Sequence, residues 1–177
     1  MGLSHQPVIL MRPGAANDRL AAKLKADGIE AWCWPAFTIT LPEDQELVAQ
    51  RLAHLDDVDM VVLPGGIPGT PNLAANKTVT DTCVSFAKSG KKVAAICAAP
   101  SVLASLGLLE GRKATAHAGF QDKLAGAEVL DTEVVVDGNI TTSYGLGGAI
   151  PFALELVRQL AGQAEAERIR NAIAYRH

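Results

Sequence analysis

The chain has 177 residues, of which 49% are hydrophobic, 20% charged and 5% aromatic, and 16 Lys+Arg against 19 Asp+Glu leave a formal net charge of -3. That length fits a single domain, and the balance excludes a disordered or collagen-like chain. There is no basic excess to neutralise phosphates, which argues against a nucleic-acid partner, and no apolar run approaches the roughly 18 residues that span a bilayer, which argues against a membrane one.

Val8-Ile9-Leu10-Met11 is a compact apolar run of the buried-strand kind, ended by Pro13-Gly14. Leu20, Ala21, Leu24 and Ala26 recur at helical spacing and predict a helix from about Ala15 to Asp27, with Gly28 suited to the position after its last turn. A second strand is expected over Ile29 to Trp34, closed by Pro35. A second helix is expected over Glu43 to His54, with Leu47, Val48, Leu52 and Leu55 inward. Asp59 to Leu63 reads as a third strand, stopped by Pro64-Gly65-Gly66. Thr78 to Lys88 reads as a helix ended by Gly90, Lys92 to Ile96 as a fourth strand, and Ala98 to Leu106 as a short helix ended by Gly107. The pattern then changes. Val134-Val135-Val136, Asp137-Gly138 and Ile140 to Ser143 read as a hairpin with the favoured Asp-Gly turn. Gly148 to Leu160 and Gln163 to Ala174 read as amphipathic helices.

Strands alternating with helices predict one α/β domain with a mostly parallel sheet covered on both faces. In such a sheet functional groups gather beyond the carboxyl ends of the strands. Those places are Arg12–Asp18, Pro64–Thr70, Cys97–Pro100 and Ser143–Gly148. Met1-Gly2-Leu3-Ser4-His5-Gln6 lacks the charged and apolar regions of a secretory signal, and Gln6 stands where a myristoylation motif needs Ser or Thr. Three cysteines are too few for a disulfide framework and too scattered for a zinc cage, so no metal is expected. A reducing compartment, the cytoplasm, is the expected location.

Of the three cysteines, Cys97 stands apart. It follows the strand Val93-Ala94-Ala95-Ile96 and precedes a helix. A residue at such a turn is exposed above the sheet, as at a nucleophile elbow, and a helix N-terminus favours the reactive thiolate. Cys33, in a strand beside Trp32 and Trp34, and Cys83, on a helix, read as small buried hydrophobes.

The words around Cys97 are Leu63-Pro64-Gly65-Gly66, then Ala94-Ala95-Ile96-Cys97-Ala98-Ala99-Pro100. After them come Leu106-Gly107-Leu108-Leu109-Glu110-Gly111-Arg112-Lys113-Ala114-Thr115, Gly119-Phe120-Gln121-Asp122-Lys123-Leu124 and Val134-Val135-Val136-Asp137-Gly138-Asn139-Ile140-Thr141-Thr142-Ser143. From about Val61 to His177 the chain resembles the ThiJ/PfpI superfamily, and within it the Parkinson-disease-protein, deglycase-like branch. The resemblance implies a flavodoxin-like three-layer α/β/α sandwich with a cysteine on a tight elbow, and a homodimer. The activities it implies are cofactor-independent glyoxalase or deglycase chemistry on a small-molecule aldehyde, thiol redox sensing, and chaperone-like holding. By that resemblance Cys97 is the nucleophile, the backbone N–H groups of Gly66 and Ala98 form the oxyanion site, and His117 moves protons. A solvated or structural histidine remains the alternative for His117.

Two segments depart from the family pattern. Its glutamate after the first strand is missing from Met11-Arg12-Pro13-Gly14-Ala15-Ala16-Asn17-Asp18-Arg19. Asp18 falls at the matching place when no gap is allowed, one methylene shorter. The other reading of Asp18 is a first-turn acid near a helix start. Tyr144, Leu146 and Gly148 stand where the family has arginine, proline and threonine. That Gly-rich turn faintly resembles a dinucleotide loop and offers a weak anion-binding reading.

Residues 7–60 are similar to the start of uroporphyrinogen-III synthase, through Val8-Ile9-Leu10-Met11-Arg12-Pro13, Asn17-Asp18-Arg19-Leu20-Ala21, Gly28-Ile29-Glu30-Ala31 and Trp34-Pro35-Ala36. A chimera, natural or engineered, joined near 56–65 would explain the missing glutamate. The leading expectation is therefore a cysteine site acting on small aldehydes or sensing oxidants, with an incomplete set of partners. The competing one is a chimeric flavodoxin-like scaffold without catalytic activity.

Overall fold

A computed structural model describes residues 8–10, 22, 25–26, 31–33 and 58–176. The chain divides into two compact units, Met1–Leu52 and Ala53–His177. In the first, strands β1 (Val8–Leu10) and β2 (Ala31–Cys33) pair in parallel, with Val8 opposite Ala31 and Leu10 opposite Cys33. Ala22, Lys25 and Ala26, between them, are helical. Parallel neighbours need a crossover, and these three helical residues lie within it. The helix expected over Glu43 to His54 lies outside the described residues, as does Asp18.

In the second unit a four-stranded sheet runs in the order β3 (Met60–Leu63), β4 (Lys92–Ile96), β8 (Ile140–Ser143), β7 (Val134–Asp137). The first three are parallel, and β7 closes the sheet as an antiparallel hairpin arm. Its helices are α1 (Gly69–Ala75), α2 (Lys77–Ser89), α3 (Pro100–Ser105), α4 (Ala149–Ala161) and α5 (Gln163–Ala172). A short parallel pair, β5 (Lys113–Ala114) and β6 (Glu128–Val129), lies apart from the main sheet.

Register explains the core. Val61, Val93 and Ile140 are opposite one another, as are Leu63, Ala95 and Thr142, so these side chains share one face. Against that face pack Cys83 and Phe86 of α2 and Val102 and Leu103 of α3, joined by Leu109, Ala114, Ala116 and Leu124. The opposite row is Val62, Ala94, Thr141 and Val136. Here α4 covers the middle, where Gln159 Nε2 donates to Thr141 Oγ1 at 2.9 Å. Helices thus lie on both faces, which is why β4 is a nearly unbroken apolar run. This is the flavodoxin-like α/β arrangement with a mostly parallel sheet.

Local chemistry sets the boundaries. The Asn76 side chain caps α2 by accepting from the Val79 N–H at 3.2 Å, and Gly90 ends that helix in the left-handed region at φ +79. Three expectations need correction. The helix expected over Ala98 to Leu106 begins only at Pro100, whose fixed φ and missing N–H suit a first position. The hairpin turn is Gly138-Asn139 rather than Asp137-Gly138. Asp137 stays in the ladder opposite Ile140 and accepts the Lys113 N–H at 2.9 Å, while the Asn139 amide donates to the carbonyls of Ala87 and Lys91. The third is an omission: α1 occupies a stretch to which the pattern assigned no element. Pro71 falls in its first turn, where no intrahelical N–H is needed.

Burial pushes the Cys83 thiol from its ordinary 9.0 up to about 11. The unfolded chain releases that proton near pH 9, whereas the folded chain keeps it, so this part of the stability is complete below pH 9 and is lost as the pH rises from 9 to 11. The loss amounts to no more than about 2–3 kcal/mol at roughly 1.4 kcal/mol per pH unit. Urea unfolding at pH 8 and pH 10.5 should show this decline in the native chain and a flatter one in Cys83→Ala. Equal slopes would mean that Cys83 is not the group responsible.

Candidate functional site

At the end of β4 the backbone makes a sharp turn on Cys97, which has φ +66. A left-handed conformation costs a residue with a Cβ about 1–2 kcal/mol, so it must be held from outside. Two hydrogen bonds of 2.9 Å hold it. The Cys97 N–H donates to the Ser143 carbonyl at the end of β8, and the Cys97 carbonyl accepts from the His117 N–H. A third constraint is steric. A Cβ added to Gly65 would lie 2.5 Å from Cys97 Cβ and 2.7 Å from the Ile96 carbonyl oxygen, so the Pro64-Gly65-Gly66 turn can approach the elbow only because position 65 has no side chain.

The thiol itself is half-buried. Gly145, just past β8, adopts φ +146 and ψ -153, a region open essentially to glycine alone. The point where its Cβ would sit is 3.7 Å from Cys97 Sγ and 3.7 Å from His117 Cδ2, so thiol and imidazole line the same small space. Beside Gly66, at φ +92, there is open space. Among the described residues no acceptor takes the backbone N–H of Gly66 or of Ala98. Ala98 N lies 3.1 Å from the Gly65 Cβ point, which puts the two turns side by side.

His117 precedes the 3-10 helix Ala118–Lys123 and caps it, its Nδ1 accepting from the Gly119 N–H at 3.2 Å. That bond assigns the neutral ring's proton to Nε2, on the same edge as the Cδ2 that faces the thiol space. His117 is therefore structural and chemically available at once. Its free edge carries a donor rather than a lone pair.

Cys97, His117, Gly66 and Ala98 are thus gathered at one strand end, while Asp18 lies outside the described residues. The helix after Cys97 has only six residues and begins at a proline, so the clamped turn rather than a long helix makes the thiol's setting. Sequence reasoning overlooked three contributors: Ser143, through its carbonyl, Gly65 and Gly145. For the two glycines, their place two residues past a strand end was the available signal. In the Gly-rich turn that offered an anion cradle, Gly147 and Gly148 leave room for neighbouring side chains. The Gly147 Cβ point lies 3.0 Å from Tyr144 Oη, and that of Gly148 lies 2.8 Å from Ser143 Oγ. Among the described residues no helix is long and apolar enough to cross a membrane.

The family model described as DJ-1/PfpI matches residues 40–159. Protein DJ-1 homolog A of Arabidopsis thaliana is 39% identical over 121 residues, covering 67% of this chain and 31% of that protein. Deglycase PfpI of Pyrococcus furiosus is 38% identical over 107 residues, covering 59% of this chain and 64% of that one. The chain thus spans less than two thirds of the length of these curated relatives. The crystal structure of Drosophila melanogaster DJ-1beta superposes with a TM-score of 0.71 at 30% identity, covering 97% of each chain.

Gly65→Ala tests the close approach. It should lower stability by about 1–3 kcal/mol through overpacking and slow iodoacetamide alkylation of Cys97, followed by peptide mass spectrometry. Unchanged alkylation in a variant of native stability would show that the two turns do not constrain one another.

Proposed function

The chain belongs to the DJ-1/PfpI family, and on that premise we propose that it performs glyoxalase- or deglycase-type chemistry on small aldehydes with Cys97 as the nucleophile. The observation that carries this reading is the left-handed backbone of Cys97, which is maintained at an energetic cost beside an imidazole edge and unused N–H groups. Backbone strain of that kind concentrates at functional positions. The deglycase-named relatives support the same reaction class.

The chemistry follows from the groups present. The Cys97 sulfur attacks the aldehyde carbon, a C–S bond forms, and the carbonyl π pair moves to oxygen. The N–H groups of Gly66 and Ala98 stabilise that oxyanion without reorganising. The proton released by the thiol ends on the new oxygen, giving a neutral hemithioacetal. His117, with hydrogen on Nε2, donates a hydrogen bond to the oxyanion until the thiol proton reaches it, while Gly119 fixes the ring through Nδ1.

Methylglyoxal consumption is the direct test. Cys97→Ala should abolish turnover with the fold intact, and His117→Ala should lower kcat about a hundredfold, the scale of losing one oxyanion donor. Full turnover in Cys97→Ala would refute the assignment.

A second reading, thiol oxidation, is favoured by the contrast between the two cysteines of the second unit. Both are free, but Cys83 is fully buried and Cys97 is not, so no resolving thiol stands ready among the described residues. Peroxide would take the Cys97 sulfur pair, leaving a sulfenate on sulfur and releasing water. After mild peroxide treatment the Cys97 peptide should gain oxygen and the Cys83 peptide should not. Equal oxidation of both, or of neither, would remove this reading.

A further inference from the structure

Beside the thiol site, and not containing Cys97 or His117, lies a cleft of about 550 Å³ between α1, α3 and the 3-10 helix Ala118–Lys123. Its floor is apolar, formed by Val102, Ala104 and Phe120, with Ile67 and Pro71 along one wall. That size is ordinary for a small-molecule site. One cation stands at it. Lys123 Nζ lies 4.4 Å from the centroid of the Phe120 ring, which draws the ammonium over the apolar floor. No carboxylate lies within salt-bridge distance of Lys123 among the described residues, whereas Lys77, Arg112, Arg158 and Arg168 are each paired. The wall also holds a buried hydroxyl with no hydrogen-bond partner, that of Thr70, at 4% exposure. The other wall hydroxyls are used, Ser101 donating to the Ala98 carbonyl and Ser105 to that of Val102.

An apolar trough with a single unneutralised cation held over its aromatic floor matches one ligand chemistry, an apolar tail ending in an anion. We propose that this cleft binds a small aliphatic carboxylate, the tail against Val102 and Phe120 and the carboxylate on Lys123. A peptide or a second copy of the chain would need a longer apolar face. The walls are continuous with the thiol site. Ile67 follows Gly66, Ser101 bonds the carbonyl of Ala98, and the Phe120 N–H donates to the His117 carbonyl at 2.7 Å. The proposal does not rest on the Cys97 chemistry and can be tested without turnover.

Thermal unfolding with octanoate, 1-octanol and acetate reads it directly, because a ligand of the folded state raises Tm with its concentration. Octanoate should raise Tm, 1-octanol should do so less, and acetate should not. Lys123→Gln should weaken octanoate about fivefold, the upper range for an exposed ion pair, and leave 1-octanol unchanged. Ala74→Trp, at the rim of the cleft, should weaken both. The proposal is overturned if octanoate and 1-octanol act equally on the native chain, or if either substitution leaves octanoate binding unchanged. A Tm that rises with protein concentration while octanoate does nothing would assign the face to a second copy instead.

Discussion

The left-handed turn at Cys97 is the constraint on which the site depends. A strand that ends in a relaxed residue could let its last side chain drift. Here the backbone is fixed on both sides, by the Ser143 carbonyl and by the His117 N–H. Each comes from a different part of the chain, so the conformation persists only while β8, the His117 segment and the glycine turn are all in place. The position of β4 between β3 and β8 makes this possible. An interior strand has neighbours on both sides to clamp its end, and an edge strand does not.

The same fold gives two thiols opposite fates. Cys83 lies on α2 with no exposed surface, packed into the face shared by Val93, Ala95 and Leu103. Desolvation alone accounts for its raised pKa, because burial penalises the charged form. Cys97 belongs to the strand end, where among the described residues the N–H groups of Gly66 and Ala98 have no acceptor. Depth in the core, rather than residue type, separates the fully buried Cys83 from the partly exposed Cys97.

His117 serves two purposes whose requirements agree. Capping the 3-10 helix uses the Nδ1 lone pair, and that use fixes both the ring orientation and the proton on the opposite nitrogen. The edge that reaches the thiol space is thereby made a donor. A freely rotating histidine would offer either tautomer there. The 3-10 helix that it caps then carries Phe120 and Lys123 to the neighbouring cleft, so the geometry of the thiol site and of that cleft are set by one short segment.

Much of this was legible in the residues. The unbroken apolar run before Cys97, the Pro-Gly-Gly after β3 and the helical spacing of α2, α4 and α5 depend on local periodicity, and each element formed within a few residues of its expected place. Cys97 could be singled out because the apolar run before it marks a strand end, whereas Gly66, Ala98 and His117 were named only through the resemblance to the ThiJ/PfpI superfamily. What could not be read were contacts made across the sheet: Ser143 as the acceptor for Cys97, Gly65 as a forced absence of side chain, and Gly145 between Sγ and imidazole. The hairpin turn moved by one residue for the same reason, because Asp137 and Asn139 answer to Lys113, Ala87 and Lys91 rather than to each other. The sequence by itself determined the class of fold, the strand ends and the identity of the thiol, since periodicity and turn residues act locally. Only the tertiary structure decided the strained turn, the histidine's proton and the close approach of glycine, since these depend on which distant backbone groups lie alongside.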